Sequence, residues 1–159
     1  MSMILARLRR YGGLAEPVPS ALHLIAAIIE RAYNTPDLDA MVPGGVFVGS
    51  GDRDTAVPYI SLLPVGGESH WNNGPQEWFW VGELIRVRIF ASSYHEFRQV
   101  ELKWRQAFRR GMSPLLMADA RHGLIVCDQP VYVGEDMEQG RPLHHGYVNM
   151  RAITNRWIA

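Results

Sequence analysis

The stretch Trp78–Gly111, WFWVGELIRVRIFASSYHEFRQVELKWRQAFRRG, changes its apolar period once, and that change constrains the fold. Within Val81–Ala91, the residues Ile85, Val87, Ile89 and Ala91 share one parity, while Arg86 and Arg88 occupy the other. A period of two predicts a strand with one buried face. From Phe97 onward the period lengthens. Phe97, Val100, Trp104 and Phe108 recur at three- and four-residue spacing, which gathers them on one side of a helix. Between the two lies Ser93-Tyr-His-Glu96, the pattern of a capping box, in which the serine hydroxyl accepts from a backbone amide and the glutamate reaches back. Arg109 and Arg110 suit the negative end of that helix, and Gly111 suits a left-handed stop. A strand feeding a helix that folds back onto it predicts a two-layer α+β core.

The rest of the chain is organised around that pair. Its 159 residues suffice for one domain burying roughly 70% of its unfolded surface. With 47% hydrophobic and 20% charged residues, the composition is ordinary for a globular chain and argues against disorder. Sixteen basic and sixteen acidic residues cancel, so no strong net field draws nucleic acid or membrane. Only Lys103 among the basic residues is lysine. That bias fits a GC-rich coding sequence, or selection of arginine for pairing with carboxylates at interfaces. The single Cys127 has no internal disulfide partner, which fits a reducing compartment or one where bridges are not needed. No apolar run approaches the ~18 residues of a membrane span. The opening residues put a short apolar part before their charges, unlike a signal peptide, and predict a cytoplasmic product.

Residues 1–18 read as an N-terminal arm, and residues 19–159 as a single α+β domain. Ile4, Leu5 and Leu8 leave the arm open to two readings, a partly ordered tail or a segment docked on a neighbouring subunit. Ser20–Tyr33 predicts a helix whose stripe of Leu22, Ile25, Ile29 and Ala32 is widened by Leu24 and Ile28. A helix this apolar is either packed on two sides or placed at a subunit interface. Asn34-Thr35-Pro36 ends it, and the following residues have room for one short turn. Short strands are expected at Val46–Val48 and Val57–Leu63, with Pro58 at a strand start or edge. Gly66–Glu77 predicts a polar connection longer than a hairpin needs, carrying Glu68, His70 and Trp71. After the helix, residues 123–128 and 130–133 read as strand material kinked at Asp128–Pro130. Gly134–Pro142 reads as an acidic loop, and His145–Trp157 as the last strand, with Val148, Met150 and Ala152 toward the core. The predicted order is α-β-β-β-α-β-β: a mostly antiparallel sheet of about five strands with two helices on one face.

Catalytic constellations are weak. The six histidines form no spaced metal pair, and His144 and His145, being adjacent on a strand, point to opposite faces. Cys127 has no activating partner and sits in an apolar strand as a small hydrophobe. The carboxylates at 128, 135, 136 and 138 lack calcium-loop spacing. The glycine pairs lack a phosphate-binding context. No catalytic residue, metal site or cofactor is assigned. What remains is interface character: an over-apolar helix, an apolar arm, a loop bearing Trp71, and a strand with one charged face.

The order of these features is recognisable. A helix runs out in Asn34-Thr-Pro-Asp-Leu-Asp-Ala-Met-Val42. A Gly44-Gly45 turn and short strand follow. Then come Ala56-Val-Pro-Tyr-Ile-Ser-Leu62, a long loop, and Ile85-Arg-Val-Arg-Ile-Phe-Ala91 leading into an amphipathic helix. Over residues 20–158 this resembles the minor tail and head–tail joining proteins of long-tailed bacteriophages, particularly the tail-terminator family. The resemblance implies a virion structural protein that is not an enzyme. Its subunits form a homo-oligomeric ring, commonly a hexamer, that caps the tail tube and meets the head connector, with DNA only passing through the lumen. A ring needs two different adhesive surfaces per subunit. The expected interface residues are Leu24 and Ile28 on the helix, Glu68, His70 and Trp71 in the loop, and Arg86 and Arg88 on the outward strand face. Two competing readings stand beside it. One is another neck or tube position, such as a head-completion (stopper) protein or a tail-tube component. The other is a small α+β enzyme or ligand-binding domain with Glu68, His70 and Trp71 lining its site.

Overall fold

A computed structural model of the protein describes residues 20–51, 54–65, 69–71, 78–109, 115–116, 122–138 and 140–157. The predicted arm, Glu68, Gly111 and most of the predicted long loop lie outside these residues. In chain order the elements are α1 (Ser20–Tyr33), α2 (Pro36–Met41), β1 (Val46–Val48), β2 (Tyr59–Pro64), β3 (Ser69–Trp71), β4 (Trp78–Ala91), α3 (Tyr94–Ala107), β5 (Leu115–Leu116), β6 (His122–Cys127), β7 (Val131–Glu138) and β8 (Arg141–Trp157).

The fold class is the expected one, α+β with a mostly antiparallel sheet, but the sheet has eight strands where about five were expected. Two long strands make its spine. β4 and β8 pair antiparallel without a break, from Trp78↔Trp157 to Ala91↔His144. β2 and β3 lie end to end along the free edge of β4, and β6 and β7 lie end to end along the other edge of β8. β1 adds a parallel partner to β2, and β5 pairs with β6.

Pleat alternation then decides the two faces. Ile85, Val87 and Ile89 of β4, with Val148, Met150 and Ala152 of β8 and Ile60 and Leu62 of β2, are buried beneath the helices. Phe97, Val100, Trp104 and Phe108 meet them as the helical spacing predicts. Trp104 is fully enclosed, and its indole Nε1 donates to the Met150 sulfur at 3.3 Å. Gly146 lies where Phe97 crosses the sheet. A Cβ there would come within 2.6 Å of the ring and 2.3 Å of the Val131 carbonyl oxygen, so only glycine permits the approach.

The capping box forms. The Glu96 amide donates to Ser93 Oγ at 3.1 Å, and the Glu96 carboxylate accepts from the Ser92 amide at 2.6 Å and from Ser92 Oγ at 2.7 Å. At the other end α3 stops at Ala107, before the predicted Arg109–Gly111 terminus. Phe108 is its C-cap, in a conformation that is not left-handed, and its amide donates to the Trp104 carbonyl. Burial of Phe108 fixes the chain there and overrides the later charge and glycine signals.

Three further differences have physical causes. Within the predicted loop, Ser69–Trp71 is a strand, because the ladder along β4 resumes after Val65. The predicted acidic loop is strand as far as Glu138. A bulge between Tyr132 and Gly134, with Gly134 at a φ of 141°, lets the chain stay paired with β8. That half of β7 is exposed on most positions, so it carries no apolar alternation to read. The predicted turn after Pro36 is the short helix α2, which places Leu38 in the core. Among the described residues, no helix is long and apolar enough to cross a membrane.

Candidate functional site

Among the described residues, the helices cover one face of the sheet and leave the other to the opposite parity of β4 and β8. At the end nearer the β7–β8 turn this open face is closed by an aromatic row. Phe47, Tyr59, Phe90 and His145 stack in sequence, with centroids 5.6, 4.7 and 5.7 Å apart. The chain following β1 lies over the row. A Cβ on Gly51 would sit 3.0 Å from the Tyr59 ring, the Gly49 carbonyl accepts from Ser61 Oγ, and the Thr55 carbonyl accepts from Arg141 Nη2.

Beyond that row the face carries arginine. Arg86 donates from Nε to Asn149 Oδ1 at 3.1 Å, and its guanidinium lies over the Tyr147 ring, 4.2 Å from the centroid. The guanidinium of Arg88 lies 4.8 Å from the centroid of Phe90. Arg151 pairs loosely with Asp128 at 3.7 Å. Cross-strand register explains the grouping, since Arg86 faces Asn149 and Arg88 faces Tyr147. Half-exposed Arg86, Arg88, Tyr147 and Asn149 are bordered by exposed Leu63, Val126 and Val131. Among the described residues no carboxylate pairs with Arg86. Arginine and tyrosine are residue types enriched at protein interfaces.

The structure separates the predicted site residues into three groups. Arg86 and Arg88 stand on the open face, as the parity required. Leu24 and Ile28, expected at a subunit surface, have no exposed surface at all. Their width on α1 serves a helix enclosed on several sides by α2, α3, β1 and β5, so they belong to the subunit's own core. His70 and Trp71 are register partners of Val81 and Trp80 on the β3–β4 ladder, away from the Arg86–Tyr147 group, and Glu68 lies outside the described residues. The ladder also sets Trp78 opposite Trp157, so four of the five tryptophans occupy one end of the sheet, at positions sharing the parity of Arg86.

Sequence reasoning missed the β7–β8 hairpin. Glu135 and Asp136 are largely exposed, and Met137 and Val133 expose 63% and 57% of their surface. Exposed apolar residues beside carboxylates in a turn-rich stretch were the available signal. His144 and His145 do point to opposite faces. His144 Nδ1 meets Tyr132 Oη at 2.7 Å and His144 Nε2 lies 3.7 Å from Glu135, whereas His145 stacks on Phe90 and lies 3.9 Å from Asp136. Among the described residues no group of three or more His, Cys, Asp or Glu is arranged to hold a metal ion.

Beneath the helices lies a second polar cluster. Glu101 is fully buried on α3 and held by Arg98, 3.2 Å away, and by Arg105. Burial pushes the nearby Cys127 thiol up to about 11. Arg105 pulls the other way, and Asp128 and Glu101 add to the rise. A thiol so placed stays protonated and is a poor nucleophile.

No protein-family model matches this sequence, and no curated protein matches it. Among solved structures the fold is similar to that of a protein in the virion of a native gene transfer agent particle. The TM-score is 0.60 at 14% identity, and the alignment covers 88% of this chain and 100% of that one.

Proposed function

We propose that the chain is a structural protein of a phage-like virion, and that it acts as a tail terminator: a ring of identical subunits that caps the tail tube and joins it to the head connector. The observation that carries the virion reading is the fold likeness, which takes in the whole of the gene transfer agent protein. Support for ring formation comes from the subunit itself. One face of its sheet is closed by helices, while the other presents Arg86, Arg88 and Tyr147 amid exposed aliphatic side chains. The terminator position rests on the resemblance of the element order and of the Pro58-Tyr59-Ile60 segment to that family. In this reading the open face meets protein, the protein uses no cofactor, and DNA passes the ring without sequence-specific contact.

Light scattering of the purified protein, with negative-stain imaging of the protein added to tail tubes, tests the proposal. A ring of uniform subunit number, in solution or seated at one end of the tube, is expected. A monomer at high concentration that also leaves the tubes bare would overturn it. A ring found at the head vertex and absent from the tube would instead favour the stopper position.

A further inference from the structure

The subunit is polarised along its sheet. β8 has seventeen residues, a length of about 55 Å at the usual rise of a strand. At one end the β7–β8 hairpin carries the acidic pair, and at the other Trp78 and Trp157 face each other across the ladder. The arginines lie between.

Charge separates the two surfaces. Among the described residues, the middle of the open face carries Arg86 and Arg88, with Arg151 and its partner Asp128 beside them. On the hairpin, the side chains of Glu135 and Asp136 are 59% and 69% exposed. His144 lies 3.7 Å from Glu135 and His145 lies 3.9 Å from Asp136, both long for an ion pair. Beside them Met137 offers an exposed, adaptable apolar side chain. Two copies cannot pair open face to open face without setting arginine against arginine. The complement of this basic, tyrosine-bearing surface is on the same chain, at a different place.

We propose that the β7–β8 hairpin of one copy, through Glu135, Asp136 and Met137, docks on the Arg86–Arg88–Tyr147 face of the next copy. The contact is heterologous, since a subunit gives its hairpin to one neighbour and its open face to the other. Such contacts generate a ring when the rotation closes. This rests on the ring-forming reading above and names the two surfaces that make the ring.

A charge-swap series tests it by light scattering and native mass spectrometry at matched concentration. The face variant is Arg86→Glu with Arg88→Glu, the hairpin variant is Glu135→Arg with Asp136→Arg, and the third protein combines all four. Wild-type protein is expected to assemble, and to assemble less as salt rises. Each variant alone is expected to weaken assembly on the order of tenfold or more, with its far-UV circular dichroism unchanged, and the combined protein to recover assembly. Full assembly of either variant alone overturns the inference. So does failure of the combined protein to recover, if it folds; in that case wild-type rings still form and the ring reading stands. If a reversed variant does not fold, the neutral changes Arg86→Gln and Asp136→Asn replace it, with weakened assembly expected and normal assembly overturning the docking. Wild-type protein that stays monomeric both alone and on tail tubes overturns both readings.

Discussion

Trp104 lies where α3 crosses the sheet, with no exposed surface, against Phe108 at 4.6 Å between centroids and with its indole nitrogen on the Met150 sulfur. Truncation to alanine removes a large buried ring, and close neighbours cannot refill the space. Trp104→Ala should therefore destabilise the subunit by about 3–5 kcal/mol, read from urea unfolding; a loss below about 1 kcal/mol would mean the ring is not core. Cys127 supplies a residue-scale test of pH. Its thiol is raised from 9.0 to about 11 by burial, so the unfolded chain loses its proton first. Between pH 9 and 11 the unfolded state binds fewer protons than the folded one, and stability falls as pH rises through that window; below it Cys127 contributes no slope. The urea midpoint of wild-type protein should drop more between pH 9 and 11 than that of Cys127→Ala. Equal drops would show that the thiol is not buried as described.

At the scale of elements, the readable parts were those whose side chains have one environment. β4 has a helix-covered parity and an open parity, and α3 has a single buried stripe opened by its own capping box, so both were legible from spacing alone. The late strand was legible for the same reason, with Val148, Met150 and Ala152 inward. Three things were not legible. β3 and the outer half of β7 exist because a partner strand runs beside them, which local sequence does not record. The end of α3 is set by burial of Phe108, while Arg109 and Gly111 had argued for a later stop. The apolar width of α1 points in sequence to an interface, yet α1 is enclosed by four neighbouring elements. That correction can be measured. Leu24→Ala should cost the isolated subunit about 2–5 kcal/mol, the range for a leucine cut from a core. A variant with normal subunit stability and defective assembly would return Leu24 to an interface. For the candidate site, parity alone placed Arg86 and Arg88. Their partners Asn149 and Tyr147 lie some sixty residues away, as the 63-residue separation of the Arg86–Asn149 bond shows, and only the ladder register brings them together.

At the scale of the whole molecule, the two faces of one sheet differ in kind. Helices close the first around Trp104. The second holds arginine in contacts that are modest for stability, one hydrogen bond and one cation–π contact in the case of Arg86, half-open to water. Each is worth on the order of 1 kcal/mol or less at such a site. A change on that face should accordingly leave the subunit folded and act on association. Association in turn feeds back on stability, because anything that binds the folded state and not the unfolded state raises the melting temperature by mass action. If the open face joins copies of the chain, the wild-type melting temperature should climb as protein concentration is raised a hundredfold. The Arg86→Glu protein should melt at a temperature independent of concentration, close to the wild-type value at the dilute limit. Scanning calorimetry across that range separates the possibilities. A concentration-independent wild type would deny an interface between copies, and an Arg86→Glu protein that melts well below the dilute wild type would assign Arg86 to the fold. Only a wild type that alone responds to concentration fits a sheet with one face for folding and the other for assembly.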